Sequence, residues 1–175
     1  EVGADEDIII SIEDPNAPVN AEILAIDELE FPSFELYPTG QFIDKLLSDH
    51  KESGGLYTGT VNVIVGESGV GKSTVMLDII ASIKEKNPDV SILYVSSEMT
   101  RNDIYFYKEK TPIIGNIPTL LMMDYIKTGN MDKVLETIAF GGDYDIVLLD
   151  SFQDMVVKFK DILGWNSTYA QTWLT

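Results

Sequence analysis

The run Val61-Asn62-Val63-Ile64-Val65-Gly66-Glu67-Ser68-Gly69-Val70-Gly71-Lys72-Ser73-Thr74 decides how this chain reads. A β-branched segment, suited to a buried strand, enters a glycine-rich turn, and a helical pattern leaves it. Gly66 to Ser73 fits the phosphate-loop pattern G-x-x-x-x-G-K-[ST]. Chemistry explains that spacing. Glycines let the backbone bend tightly and turn its N–H groups inward, forming an anion cradle. The helix that follows adds the positive end of its dipole. Lys72 has the length to reach β- and γ-phosphates, and the Ser73 hydroxyl is a hard oxygen ligand for Mg2+. The expected nucleotide-binding set is Gly66, Glu67, Ser68, Gly69, Val70, Gly71, Lys72, Ser73 and Thr74, with ATP and Mg2+ as the species held.

Downstream, Thr74 to Lys86 continues as a helix with Val75, Met76, Ile79, Ile80 and Ile83 on its buried face. Asn87-Pro88-Asp89 breaks it. Val90 to Ser96 then reads as a buried parallel strand that ends in Ser97-Glu98. A carboxylate in that place lies at the ligand edge of an open α/β sheet. Leu120 to Tyr125 is a further strand expectation. Asn130 to Phe140 is a helix with Val134, Leu135 and Ile138 inward, ended by Gly141-Gly142. In Asp145-Ile146-Val147-Leu148-Leu149-Asp150 an apolar run delivers an aspartate to the sheet edge, the Walker B form, where Asp150 with Ser73 is the metal-holding pair. Strands and helices alternate, so the fold class is α/β, a mainly parallel sheet with helices on both faces.

Upstream, residues 1–38 read as an acidic, proline-punctuated extension in which Ile8 to Ile12 suits a short strand. Thr39 opens a helical stretch that places Phe42, Ile43, Leu46 and Leu47 on one face. His50, the sole histidine, sits between charged residues and reads as solvated. Residues 39–175 form the expected core domain. The start at Glu1 and the end at Thr175, inside a helical pattern, suggest part of a longer chain, truncated at the C-terminal side.

Bulk numbers restrict the function. The 175 residues carry a net charge of −17, a surface that repels nucleic acid in general and argues against a strong free-standing DNA binder. The chain has no cysteine, which removes disulfides, thiolate metal sites and a cysteine nucleophile, and is compatible with a reducing, cytoplasmic setting. No apolar run approaches the ~20 residues of a membrane span.

Thr39-Gly40, Ile43-Asp44, Gly54-Gly55-Leu56 and Thr58-Gly59, followed by the strand and phosphate loop, resemble the opening of RecA-superfamily ATPase cores of RadA, KaiC and bacterial RecA type. Those families place Pro-Gly where this chain has Thr58-Gly59. Asp150-Ser151 resembles the same place in RecA and RadA proteins, while Asp150 with Gln153 also resembles DnaB-type helicases. The resemblance covers Thr39 to Thr175. It implies a RecA-like P-loop NTPase core in which Glu98 polarises the attacking water as general base and Lys72 is the second catalytic group. It also implies a homo-oligomeric ring or filament, completed by a basic finger from the next subunit, and single-stranded DNA as partner. Lys158-Phe159-Lys160 falls where recombinases carry a DNA-binding loop, so two cations for phosphates and an aromatic for bases are expected there. Arg101 is expected on adenine or on a carboxylate. Tyr105, Phe106 and Tyr107 are expected in packing or a subunit contact, with an exposed base-stacking platform as the alternative. Trp165, Tyr169 and Trp173, at i, i+4 spacing, are expected in core or protomer packing, with ligand stacking as the alternative. Three readings follow: a recombination or repair ATPase, a DnaB-type helicase motor, and a non-motor, nucleotide-gated assembly subunit.

Overall fold

The computed structural model describes residues 25–30, 34–47, 54–139 and 143–174. They fall into two units divided between Ser33 and Phe34. In the first, Ile26–Glu28 make one 3-10 turn, whose Glu28 carboxylate accepts from the Ala25 N–H at 2.9 Å. The expected strand at Ile8 to Ile12, His50 and the Gly141-Gly142 stop lie outside the described residues.

The second unit holds a small antiparallel ribbon, β1 (Leu36–Tyr37) with β2 (Leu56–Tyr57), around a short helix α1 (Asp44–Leu47). Its main sheet has three parallel strands in the order β4 (Thr119–Leu121), β3 (Ile92–Ser96), β5 (Ile146–Asp150). Helix α2 (Lys72–Lys86) precedes β3, α3 (Arg101–Lys110) connects β3 to β4, α4 (Met122–Ile126) and α5 (Met131–Ala139) connect β4 to β5, and after β5 come α6 (Phe152–Leu163) and α7 (Ser167–Leu174).

The pleat sorts β3 between two cores. Ile92 and Tyr94 face α2 and its Leu77, Ile80 and Ile83, joined by Ile114 and Ile117 from the segment after α3. Leu93 and Val95 face the other layer, against Met122, Val134, Met155 and Phe159. Alternating side chains of a strand point to opposite faces, so a strand buried on both reads as a continuous apolar run. All five residues of β3 are buried. Helices therefore cover both faces, as expected for a parallel α/β sheet.

Three expectations need correction. Val61 to Val65 is not a strand: no described residue pairs with it, and Val61, Val63 and Val65 are 75%, 74% and 88% exposed. A strand needs a neighbour to complete its ladder, and among the described residues this run has none. Only Asn62 and Ile64 turn toward the sheet, lining a narrow cleft of about 170 Å³ opposite Asp145 to Leu148. The expected strand at Leu120 to Tyr125 stops at Leu121 and becomes α4. Upstream, Phe42 and Leu46 are exposed, and only Ile43 and Leu47 pack inward, because α1 is a single turn.

The Thr-Gly, Ile-Asp and Gly-Gly-Leu signature has a local physical reason. The Asp44 carboxylate accepts from the Thr39 N–H at 2.8 Å, the Thr39 hydroxyl at 2.6 Å and the Gly40 N–H at 2.7 Å. Burial raises the pKa of Asp44, but these donors more than offset it and hold the carboxyl below its ordinary value. Gly54 lies flat on this turn: a Cβ there would stand 2.0 Å from the Asp44 carbonyl oxygen.

Candidate functional site

The phosphate loop reaches α2 through Gly69 and Gly71, whose φ values of 80° and 94° belong to the left-handed region. Gly71 caps the helix, and Lys72 is its first residue. Lys72 folds back along the loop and donates from Nζ to the Gly66 carbonyl at 2.8 Å and the Glu67 carbonyl at 2.7 Å. An ammonium has three donors, so one remains. Loop residues 66–70 are exposed.

Helix α2 carries Ser73 onto the end of β5. Its hydroxyl donates to Asp150 Oδ1 at 3.1 Å, across the gap between the two motifs. Asp150 is 4% exposed, and the Tyr94 phenol donates to its Oδ2 at 2.9 Å. Burial first, and the Asp150 carboxylate second, push the Tyr94 phenol above its ordinary pKa, so it stays protonated as a donor.

Beyond the strand end, the Ser97 N–H donates to the Asp150 carbonyl at 2.7 Å, extending the β3–β5 ladder into the turn that bears Glu98. The peptide joining Asp150 to Ser151 is cis. Ser151 has two tasks. Its hydroxyl oxygen accepts from the Asp154 N–H at 3.3 Å, capping α6, and its O–H donates to Glu98 Oε1 at 2.7 Å. Sequence reading missed both Ser151 and Tyr94 as parts of the site. The signal for Tyr94 was available, since it is the polar-tipped residue in an apolar strand, on the face that carries Asp150.

The structure thus brings Ser73 to Asp150 and Glu98 to the residue after Asp150, at the carboxyl end of neighbouring parallel strands. Ser73 Oγ and Asp150 Oδ1 are hard oxygen donors of the kind Mg2+ takes together with substrate phosphates. Among the described residues there is no cluster of three or more His, Cys, Asp or Glu side chains able to hold a metal without such phosphates. Thr74 hydrogen-bonds through its hydroxyl to the Tyr107 phenol at 3.0 Å, linking α2 to α3.

Other expected residues stand apart from this centre. Arg101 pairs with Asp124 at 2.9 Å, the carboxylate alternative, beside a cavity of about 520 Å³ also lined by Tyr125, Thr128 and Asn130. Tyr105 and Phe106 are exposed on α3, contrary to packing within the chain, while Tyr107 packs against the α2-side core. Lys158-Phe159-Lys160 does not form the expected platform. It lies within α6, Lys158 is paired with Asp154 one turn back, and Phe159 is fully buried against Trp165 and Trp173. Trp165, Tyr169 and Trp173 join that aromatic cluster, as the packing expectation has it, although Trp165 precedes α7.

The chain is similar to proteins described as DNA repair protein RadA. The Campylobacter jejuni protein is 30% identical over 135 residues, which are 77% of this chain and 28% of that protein. The Listeria monocytogenes protein is 32% identical over 118 residues, 67% of this chain and 24% of its own length. The Rickettsia bellii protein is 27% identical over 123 residues, 69% of this chain and 24% of its own length. The chain spans about a quarter of the length of these curated relatives. No family model and no solved structure matches it. No helix among the described residues is long and apolar enough to cross a membrane. Taken together, the three similarities support a resemblance at the level of the RecA superfamily.

Proposed function

We propose that this chain is the ATP-binding and ATP-hydrolysing part of a RecA/RadA-like protein of DNA recombination or repair, working in the cytoplasm as a homo-oligomer on single-stranded DNA. The observation that carries the reading is the Ser73 Oγ to Asp150 Oδ1 contact of 3.1 Å, which joins two motifs far apart in sequence at one sheet edge. Similarity to three RadA proteins supports the repair assignment over a helicase motor or an assembly subunit.

In this reading the triphosphate lies along the N–H groups of Gly66 to Ser73, and Lys72 transfers its ammonium from the loop carbonyls to the β- and γ-oxygens. Glu98, with Oε1 held by Ser151, keeps its other oxygen for a water. That water attacks phosphorus in line. A new P–O bond forms, the bond to the bridging oxygen breaks, ADP leaves, and Glu98 receives the water's proton. Ser73 and Asp150 would hold Mg2+, which when bound neutralises charge on the phosphate oxygens.

The test is ATP turnover by wild type, Lys72→Ala and Glu98→Gln, each with and without single-stranded DNA. Lys72→Ala should abolish activity. Glu98→Gln should still bind ATP while turnover falls at least ~100-fold, the usual scale for a lost general base. DNA should stimulate the wild type. Turnover that ignores DNA would favour the assembly reading, and strand displacement would favour the helicase.

A further inference from the structure

We propose that Tyr94 is a positioning residue for the metal-binding carboxylate: its phenol locks Asp150 Oδ2 so that Oδ1 is presented to Ser73. The inference rests on the phosphate-site reading above and adds a residue to it. In the β3–β5 register, Tyr94 stands opposite Leu148 and Ser96 stands opposite Asp150. A tyrosine reaches a diagonal neighbour two residues further along the same face. Its ring fills the α2-side core at 1% exposure, and its hydroxyl emerges at the carboxylate, 2.9 Å away.

A carboxylate without that contact rotates about its terminal torsion among nearly equivalent settings. With Oδ2 bound to the phenol and Oδ1 to Ser73 at 3.1 Å, one setting remains. The phenol has one proton and two acceptors in reach, the other being Met99 Sδ at 3.2 Å. The charged oxygen is the stronger acceptor and takes it. Phenylalanine would serve the core equally well, so the hydroxyl is explained by its partner rather than by packing.

The experiment is a MgCl2 titration of fluorescent-ADP binding to wild type, Tyr94→Phe, Asp150→Asn and the double variant, with circular dichroism as the fold control. Removing a group that orients a metal ligand typically weakens metal affinity 10- to 100-fold. The Mg2+ midpoint of Tyr94→Phe should therefore rise about 10-fold, with nucleotide affinity in EDTA unchanged. In the Asp150→Asn background, loss of the hydroxyl should cause no further shift. An unmoved midpoint, an equal shift in both backgrounds, or loss of the fold on deleting this one oxygen would overturn the proposal while leaving the phosphate-site reading standing. A wild type that binds no fluorescent ADP at any Mg2+ concentration would overturn both.

Discussion

Single residues in this molecule are chosen for what they donate and where. Asp44 shows this away from the site. It is 8% exposed and takes three hydrogen bonds, one of them from the main-chain N–H of buried Thr39, which would otherwise lack this acceptor. Asp44→Asn would turn an amide NH2 toward one of those donors and should cost about 1–3 kcal/mol at neutral pH, measured by urea unfolding. The sign of the pH dependence follows from the lowered folded pKa. The ionised form is favoured by folding, so this contribution is complete above the unfolded value near ~3.9 and is lost as pH falls through the folded value. Wild type should lose stability on acidification below about pH 4, and the variant should show a flatter acid limb. An unchanged acid limb would remove Asp44 from this role. Gly54→Ala should be at least as damaging, because its methyl would strike backbone rather than a movable side chain. The Gly-Gly-Leu and Ile-Asp pairs were legible as a pattern in the sequence. Their reason was not, because it lies in a turn and a ribbon packed on one another.

At the scale of elements, the sequence spoke clearly wherever periodicity and chemistry agreed. Helix α2, strand β3 and strand β5 sit where their apolar runs place them, but burial departs from the expectation in two places: β5 is only partly buried, with Val147 at 38% exposure, and the inward face of α2 takes in Leu77 and leaves Val75 exposed. It misled where an element depends on something far away. Val61 to Val65 has the β-branched composition of a central strand, yet a strand exists only with a ladder, and among the described residues this one has none. Amide hydrogen exchange should therefore be faster at Val61 to Val65 than at Ile92 to Ser96 by several orders of magnitude, since unpaired amides lack the protection of a core strand. Equal protection in the two segments would show that the phosphate-loop run is paired in solution. Lys158-Phe159-Lys160 misled in the opposite sense. Local composition suggested a nucleic-acid contact, while helical phase turns Phe159 into the aromatic core of α6 and α7. Phe159→Ala should cost about 3–5 kcal/mol of stability, as truncation of a buried aromatic does. A smaller loss on urea unfolding would contradict that placement.

For the whole molecule, an acidic chain of net charge −17 carries its proposed chemistry at one edge of a three-stranded parallel sheet. The arrangement is economical. One helix delivers Lys72 and Ser73, the turn after β3 carries Glu98, the neighbouring β5 ends in Asp150, and Ser151 and Tyr94 hold the two carboxylates in place. The residues that meet at that edge stood out as motifs because the proposed phosphate cradle and metal-facing acid need particular side chains at particular spacings. The two holding residues were missed: Tyr94 stood out only as a polar tip in an apolar strand, and the partners of both are set by a register between strands about fifty residues apart. Isothermal calorimetry of ATP into the Mg2+-containing protein, wild type against Lys72→Ala, tests the central claim most directly. Saturable one-to-one binding to the wild type, lost or strongly weakened in the variant, is the expected result. No heat of binding with the wild type, or identical binding to both, would contradict it.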